Sequence, residues 1–380
     1  MNIENASSVP SNKAVWLPAK QAQLVIGEAP YTAPRANEIV VRNRAVAVNP
    51  IDWITQSMGS VTLPWTHYPF ILGSDVAGDV VQIGSAVTRF KVGDRVLGHA
   101  VAADKKRNNP AEGAFQDYTV LLENMAAPIP EALAYENAVV LPLALSTASC
   151  GLFQKDQLAL QPPSLQRKAT GKALLIWGGS TSVGSNAIQL AVAAGYEVVT
   201  TASPKNFTYV RSLGASQVFD YRSPTVVQDI IAALKGRRIA GALALGTGSA
   251  EICLDIVHAC EGSKAVALAS PSVSFEGAPT GRGRLAWLIP TMARLIGLNV
   301  VLMAKARIRG IRVKYIFGTS LMGNEVSRLV YHDFLPRALA NGSYVAAPAP
   351  LVFGRGLDKI PAALEAQKKG LSARKLVVTL

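Results

Sequence analysis

The stretch that most constrains the fold is residues 172–203, KALLIWGGSTSVGSNAIQLAVAAGYEVVTTAS. A short apolar run leads into a glycine-rich turn, and a helix-like segment and a second apolar run follow. In chain order the pattern predicts a strand at 173–177, a turn at 178–184, a helix at 187–194 and a strand at 197–201. Strand, turn, helix and strand within about 30 residues is typical of the βαβ unit that binds a dinucleotide.

The turn of this unit holds the predicted contacts to the pyrophosphate of the dinucleotide. The backbone must approach the phosphates closely there and direct N–H groups at them from the helix N-terminus, so small residues are required. The candidate residues are Gly179, Ser180, Thr181, Ser182 and Val183. The turn departs from G-x-G-x-x-G, because Thr181 and Ser182 stand where glycines are often found. A tightly packed turn without a ligand is the alternative.

The end of the second strand indicates which dinucleotide binds. NAD-binding units usually carry an acid about 20 residues on, which holds the ribose 2′-hydroxyl. Here no acid follows the strand, and Ser203 and Lys205 offer a hydroxyl and an ammonium that suit a 2′-phosphate. We therefore expect NADPH as the cofactor. A solvated surface lysine is the alternative for Lys205.

Composition limits the class of protein. The 380 residues, 49% of them apolar, favour two domains with their own cores. The N-terminus shows no secretory signal pattern, and the three cysteines form no C-x-x-C pair, so we expect a reduced, cytoplasmic protein without a disulfide framework. The net charge of +13 is high, but no nucleic-acid-binding motif accompanies it. We therefore expect no nucleic-acid partner.

The periodicity of the apolar residues changes along the chain. Residues 14–128 show short alternating strands broken by turns, residues 135–158 have a helical pattern, and 161–164 is a break. Beyond it the predicted helices are 206–213, 224–235 and 249–260, and the predicted strands are 217–221, 240–246 and 264–270. This alternation predicts a doubly wound parallel sheet. The C-terminal part predicts helices near 323–341 and 357–369 and strands at 351–353 and 375–379.

Several motifs occur in an order typical of one family. They are NPIDW at 49–53, LGSDVAG at 72–78, FKVGDRV at 90–96, GAFQDY at 113–118, Leu141-Pro142 and Ser146-Thr147-Ala148, all ahead of the dinucleotide unit. The chain resembles the medium-chain dehydrogenases/reductases, and within them the zinc-free quinone-reductase and enoyl-reductase branch. Residues 176–221 resemble the trans-acting enoyl reductases of polyketide pathways. The resemblance covers nearly all of the chain except residues 1–12 and 277–314.

The resemblance implies an α/β fold with two domains. A GroES-like β-barrel catalytic domain is expected from residues 1–146 together with the returning C-terminal part, 319–380. A Rossmann domain with a doubly wound parallel sheet is expected from residues 147–318, and it would bind NADPH. The active cleft then lies at the junction of the two domains.

The resemblance also implies a protein without a metal. Zinc members of this family carry their ligands at the places that correspond to residues 49–52, residues 73–75 and Leu143, where this chain has no thiolate or imidazole. Zinc needs at least three protein ligands. The histidines share no ligand spacing, and we expect them to be ordinary core or surface residues; they are His67, His99, His258 and His332.

Without a Lewis acid, the implied reaction is reduction of an electron-poor C=C bond, in which an enolate must be stabilised and then protonated. The resemblance places Asn49 and Asp52 beside the nicotinamide. Asn49 would donate to the developing oxyanion, and Asp52 would order a water or the substrate. The alternatives are a turn before a helix for Asn49 and a helix cap for Asp52. Met58 stands where related reductases carry a tyrosine proton donor, and Tyr68 fits a packed turn better. Water is one source of the proton, and no single side chain is assigned as the donor.

The resemblance assigns two further cofactor contacts. Thr147 would lie near the nicotinamide and its phosphate, with a hydroxyl at a helix N-terminus as the alternative, and Tyr221 would join Ser203 and Lys205 at the 2′-phosphate. The expected substrate is an enone or an enoyl thioester. A quinone, or nucleotide binding without turnover, is the alternative function. We expect a monomer or a homodimer.

Residues 277–314 contain no acid and many bases. The basic residues are Arg282, Arg284, Arg294, Lys305, Arg307, Arg309, Arg312 and Lys314. Pro290, Arg294 and Asn299 interrupt the apolar stretch 285–304, so we expect no transmembrane segment. Three interpretations are open: a cap and subunit contact over the cleft, a docking face for acyl carrier protein or CoA, or a helix on a membrane surface.

Overall fold

Three β-sheets organise the chain in the computed structural model, which describes residues 10–279 and 283–380. The strands are β1 Asn12–Leu17, β2 Val25–Ala29, β3 Glu38–Ala47, β4 Phe70–Ile71, β5 Asp75–Ile83, β6 Arg95–His99, β7 Tyr118–Leu122, β8 Ala126–Pro128, β9 Ala173–Trp177, β10 Glu197–Ala202, β11 Gln217–Asp220, β12 Ile239–Ala244, β13 Ala265–Leu268, β14 Arg312–Tyr315, β15 Ala349–Arg355 and β16 Arg374–Thr379.

Helices connect these strands. They are α1 Pro50–Met58, α2 Tyr135–Ala138, α3 Pro142–Phe153, α4 Ser182–Ala193, α5 Phe207–Ser212, α6 Val226–Ala233, α7 Ser249–Ala259, α8 Arg284–Ile308, α9 Glu325–Ser327, α10 Leu335–Ala340 and α11 Ile360–Lys368, with a π-helical segment, Arg328–Phe334, between α9 and α10. The predicted helix at 135–158 is divided, and its second part begins with Pro142 at the first helical position, where a missing N–H costs no hydrogen bond.

One part of the molecule is built on a six-stranded parallel sheet in the order β11-β10-β9-β12-β13-β14. The central strands β9, β12 and β13 are buried along their whole length, as is typical of parallel strands covered by helices on both faces. The predicted doubly wound sheet is thus confirmed. Its order changes direction between β9 and β12, and ligands bind beyond the carboxyl ends of the strands at such a switch point.

The second part is built on β3. The sheet order is β15-β16-β3-β5-β6-β8, and β7 pairs with the first half of β3. Two register shifts interrupt the pairing of β3 with β5, which allows this long strand to bend. The strands β15 and β16 come from the C-terminus, so the chain returns to this sheet after the parallel sheet is complete.

One hydrophobic core continues across both parts. A single cluster of buried side chains includes Leu97 from β6, Leu145 from α3, Ile188 from α4 and Tyr331 from the C-terminal part. The helix α3 runs across the expected boundary between residues 146 and 147. The domain boundaries at 146 and 318 remain predictions.

The basic segment 277–314 contains a 25-residue helix, α8, and leads into the edge strand β14; no bounds were predicted for either. The inner side of α8 packs against both parts of the molecule. Trp287, Met292 and Leu298 lie against the core that contains α1 and β3. Leu302 and Ala306 are buried in the core beneath the parallel sheet. The helix α8 thus contacts both cores, and the cap and subunit contact over the cleft, one of the three interpretations of this segment, remains a prediction.

Two helical stretches in the described residues are long and apolar enough to cross a bilayer by length and composition alone. The first, Tyr135–Phe153, is 78% buried inside the protein and is a core element. The second is α8, of which only 6% is buried. The expectation that no segment spans a membrane is consistent with the packing of the inner side of α8 on both cores.

Candidate active site

The turn between β9 and α4 is closely packed at its glycines. Gly178 has a φ of +89°, which residues other than glycine rarely adopt. A Cβ on Gly179 would lie 2.2 Å from Thr200 Oγ1, and a Cβ on Gly184 would lie 2.3 Å from the carbonyl oxygen of Gly178. The first turn of α4 therefore sits directly against the ends of β9 and β10, and no side chain fits between them.

The N-terminus of α4 fits a phosphate group. Thr181 is the N-cap residue; its Oγ1 accepts a hydrogen bond from Gly184 N at 3.0 Å and donates to the carbonyl of Gly178 at 2.9 Å. The N–H groups of Ser182 and Val183 belong to the first turn, where a helix offers no internal acceptor. Together with Ser180 they lie at the positive end of the helix. This glycine turn and helix end suit the pyrophosphate of a dinucleotide.

The expected 2′-phosphate contacts come from the ends of two neighbouring strands. Ala202 of β10 pairs with Asp220 of β11, so Ser203 and Tyr221 follow at the same edge of the sheet. Ser203 is buried and its Oγ accepts from Asn206 Nδ2 at 3.2 Å. Lys205 is exposed.

Arg222 is a further candidate that was not recognised in the sequence. Its Nε donates to the hydroxyl of Tyr221 at 3.2 Å, and its guanidinium lies 5.2 Å from the centre of that ring. The sequence feature that could have identified Arg222 is a basic residue directly after Tyr221, at the end of a strand. Arg222 adds a second cation to the edge that carries Ser203 and Lys205.

Thr147 lies in the second turn of α3 and is partly buried. Its Oγ1 donates to the carbonyl of Leu143 at 2.8 Å, one turn earlier in the same helix. A Cβ on Gly318 would lie 2.9 Å from this Oγ1, so the loop after β14 passes directly over it. The hydroxyl thus has an acceptor within its own helix, and its contact with the cofactor remains a prediction.

A buried ionic cluster occupies the region around Asn49. Lys375 is 4% exposed, and its ammonium lies 2.9 Å from Asp75 Oδ2, in a side chain that is fully buried. Asn49 Nδ2 donates to the same oxygen at 2.7 Å, and Asn49 Oδ1 accepts from the Lys375 ammonium. The backbone N–H of Leu143 donates to Asp75 Oδ1 at 2.6 Å. Both carboxylate oxygens of Asp75 therefore have partners.

This arrangement engages the amide of Asn49 that was expected to donate to the oxyanion. The residue is 3% exposed, and its amide is held between a carboxylate and an ammonium, so it does not face an open site. It precedes Pro50 at the N-cap of α1, as in the alternative of a turn before a helix. Participation of Asn49 in the reaction remains a prediction.

Asp52 is also buried, and it caps α1. Its Oδ2 accepts from the backbone N–H of Asn49 at 2.8 Å, which is the alternative that the sequence left open. Burial, together with the charge of Asp75, raises the pKa of Asp52 to about 7, although the bond from Asn49 and the charge of Lys375 oppose the shift. A role of Asp52 in ordering water or substrate remains a prediction.

The positions expected for zinc ligands belong to this cluster. Asp75 binds Lys375, and Leu143 contributes only its backbone. Across residues 10–279 and 283–380, no three His, Cys, Asp or Glu side chains are grouped as a metal site. His99 is a core residue, as expected; its Nδ1 lies 2.9 Å from Ser146 Oγ, and burial lowers its pKa to about 4. The three cysteines are free and buried.

The two positions considered for a proton donor, Met58 and Tyr68, are packed in the protein. Met58 is fully buried, and its sulfur lies 3.7 Å from the guanidinium of Arg284. The hydroxyl of Tyr68 is buried and has no partner among the described residues, and burial raises its pKa. The packed turn expected around Tyr68 agrees with this position.

Comparison with known proteins agrees with this fold. Residues 35–131 match the model of the alcohol dehydrogenase GroES-like domain. The chain is 53% identical over 374 residues to the dehydrogenase pigH of Monascus ruber, covering 98% of this chain and 100% of that protein. It is 39% identical over 375 residues to the trans-enoyl reductase himH of Aspergillus japonicus, covering 97% of each. The quinone oxidoreductase structure from Pseudomonas syringae pv. Tomato DC3000 superposes with a TM-score of 0.69 at 22% identity, covering 97% of this chain and 100% of that one.

The fold and these relatives define a two-domain oxidoreductase of a kind that uses a nicotinamide cofactor. The chain belongs to the medium-chain dehydrogenase/reductase family.

We predict that Lys375→Met destabilises the protein by about 3–5 kcal/mol, because it leaves the buried charge of Asp75 without its partner. Urea denaturation measures the change. The exposed Lys235→Met is the control, with an expected change within about 0.5 kcal/mol. Adding Asp75→Asn to Lys375→Met should recover part of the loss. Equal effects of Lys375→Met and the control would contradict the structural role of the pair.

We further predict that Asp52→Asn changes the pH dependence of stability. With a folded pKa of about 7 against an ordinary value of 3.8, the folded chain holds a proton in this window that the unfolded chain releases. The wild type therefore loses stability as pH rises between these values, and the loss is complete above pH 7. Relative to wild type, Asp52→Asn should gain stability over this window by on the order of 1–4 kcal/mol.

Denaturation series at several pH values measure this difference. The exposed Asp229→Asn serves as the control and should show no such trend. A constant difference between Asp52→Asn and wild type across the window would show that the carboxyl is ionised throughout.

Proposed function

We propose that the protein is an NADPH-dependent, zinc-independent reductase that acts on the activated C=C bond of an enoyl thioester or a related enone. Its relatedness over nearly the full chain to a trans-enoyl reductase supports this reaction class. The observation that carries the proposal is the Lys375–Asp75–Asn49 cluster. At the place where the resemblance puts metal ligands, a side-chain cation already neutralises the carboxylate.

The residues of the cofactor site support NADPH in this proposal. When bound, NADPH supplies the hydride. The first turn of α4 would hold the pyrophosphate through the N–H groups of Ser182 and Val183. Ser203, Lys205 and Tyr221 would hold the 2′-phosphate at the strand ends, with Arg222 beside them.

The cluster also suits the choice of substrate. Oxidation of an alcohol by zinc members of the family depends on a Lewis acid that polarises the oxygen. The Lys375 ammonium is buried and donates to Asp75 and Asn49, so it does not polarise a substrate oxygen in place of the metal. A conjugated carbonyl needs less activation, because the charge that develops is spread over an enolate. We propose that water supplies the proton.

Carriage of the substrate on acyl carrier protein or CoA remains a prediction, and the structure reduces the surface available for it. Lys305 and Arg309 both form ion pairs with Asp255, at 2.7 and 2.5 Å. Lys314 pairs with Asp156. Arg282 lies outside the described residues. The positive face of segment 277–314 is thus smaller than its composition indicated.

A substrate panel tests the proposed reaction. We expect NADPH oxidation with enones and enoyl thioesters, retained after exhaustive chelation and accompanied by no stoichiometric zinc in elemental analysis. Preference for quinones would favour an NADPH:quinone oxidoreductase. Turnover of none of these, with NADPH still bound, would favour a non-catalytic NADPH-binding protein. Loss of zinc together with activity would overturn the zinc-independent reaction.

Cofactor choice can be tested by binding alone. Lys205→Ala should weaken NADPH by about 1–3 kcal/mol, the range for a hydrogen bond to a charged group, while the affinity for NADH stays unchanged. Calorimetric titration of both cofactors measures this. Lys235→Ala, which removes an exposed lysine elsewhere on the same domain, is the matched control. An equal loss for NADPH and NADH would show that Lys205 does not recognise the 2′-phosphate.

A further inference from the structure

The side of α8 that faces away from the protein is apolar and exposed to solvent. We call it the outer face of α8. Its large apolar residues and their exposed fractions are Leu285 70%, Ile289 67%, Ile296 60%, Val300 62%, Val301 62%, Met303 39% and Ile308 86%. The helix is about 37 Å long at 1.5 Å per residue. Contiguous apolar surface of this extent marks an interaction site in soluble proteins.

The opposite side fixes how this helix can meet a partner. Trp287 and Met292 pack on one core, and Leu302 is fully buried in the other. Asn299 Oδ1 accepts from the hydroxyl of Tyr315 at 2.8 Å and from that of Ser272 at 3.1 Å. A helix that spanned a bilayer would lose all of these contacts. α8 can therefore offer only its outer face, lying parallel to the surface that it meets.

The charged residues of segment 277–314 itself have one sign. Segment 277–314 contains no Asp or Glu. Arg294 and Arg307 are exposed, and neither forms an ion pair within the described part of the chain. The other bases of the helix differ, because Lys305 and Arg309 are engaged by Asp255. The outer face thus combines a long stretch of exposed aliphatic side chains with two arginines that form no ion pair in the described part of the chain. Such a face is complementary to an apolar layer whose surface carries anions.

We propose that the outer face of α8 binds the surface of an anionic lipid bilayer, with its aliphatic side chains inserted at the level of the headgroups and the arginines at the lipid phosphates. Helices that lie in the interface combine an apolar face with arginine or lysine in this way. A second copy of the chain fits less well, since pairing two such faces would bring like charges together. An acidic protein would match the arginines but not a row of aliphatic side chains without hydrogen-bonding groups. This inference does not depend on the proposed reaction.

Vesicle flotation with the full-length chain tests the proposal. The probes are vesicles of phosphatidylcholine alone and of two parts phosphatidylcholine to one part phosphatidylglycerol. We expect binding to the anionic vesicles at low salt, little binding to the neutral ones, and weaker binding as salt screens the charges. Ile296→Glu with Val300→Glu should reduce vesicle affinity at least tenfold. Arg294→Gln with Arg307→Gln should reduce it about fivefold per charge.

Matched controls are available elsewhere on the surface. Val92 is 61% exposed, almost as much as Val300, and lies in a turn far along the chain from α8, so Val92→Glu should leave binding unchanged. Lys105→Gln with Lys235→Gln removes the same number of exposed charges as the arginine pair. Thermal melts and NADPH affinity verify that each variant is folded.

Three results would overturn the proposal. The first is that the wild type fails to float with anionic vesicles. The second is that the α8 variants and their controls float equally. The third is that the wild type elutes as a dimer that the Ile296/Val300 variant converts to a monomer, or binds an acidic acyl carrier protein that this variant no longer binds. In that case the outer face is a protein interface.

Discussion

The buried pair of Lys375 and Asp75 links the C-terminal strand to the sheet formed by the first part of the chain. Lys375 lies on β16 and Asp75 on β5, and both strands pair with β3 close to Ala47. Asn49 follows two residues later, so the end of β3 brings the cluster together. Removing two charges from water costs several kcal/mol for each ion, which only close partners offset. The C-terminal strand therefore supplies the counter-charge that allows the first part of the chain to bury its carboxylate.

The parts of the fold that depend on local pattern were predictable. The strand β9 was predicted with its observed bounds, and β10 ends one residue beyond its predicted end. The helix α4 begins at Ser182, five residues earlier than predicted and within the predicted turn. A buried parallel strand is apolar throughout, and a glycine-rich turn between such a strand and a helix is typical of the dinucleotide-binding unit. Lys375 was missed because its partner, Asn49, is 326 residues away in the chain. Its only signal was a lysine that begins an otherwise apolar strand.

The site was less predictable than the fold for a related reason. Family resemblance indicates which residues lie near the cofactor, but not which hydrogen bonds their side chains make. The amide of Asn49 is committed to Asp75 and Lys375, and the carboxyl of Asp52 is committed to the N-terminus of α1. Pro290, which interrupts the apolar stretch 285–304, lies inside α8. The helix continues because the carbonyl it leaves unpaired, that of Ala286, belongs to an exposed residue.

The helix α8 also restricts how the two parts of the molecule move. Its first half packs on the core around α1 and its second half on the core beneath the parallel sheet. A hinge rotation that widened the cleft would pull one half of the helix away from its core, at a cost of about 25 cal/mol for each Å² of apolar surface exposed. The helix therefore holds the two cores together. Exchange of cofactor and substrate is therefore expected to rely on loop and side-chain movements at the cleft, with little change in the angle between the domains.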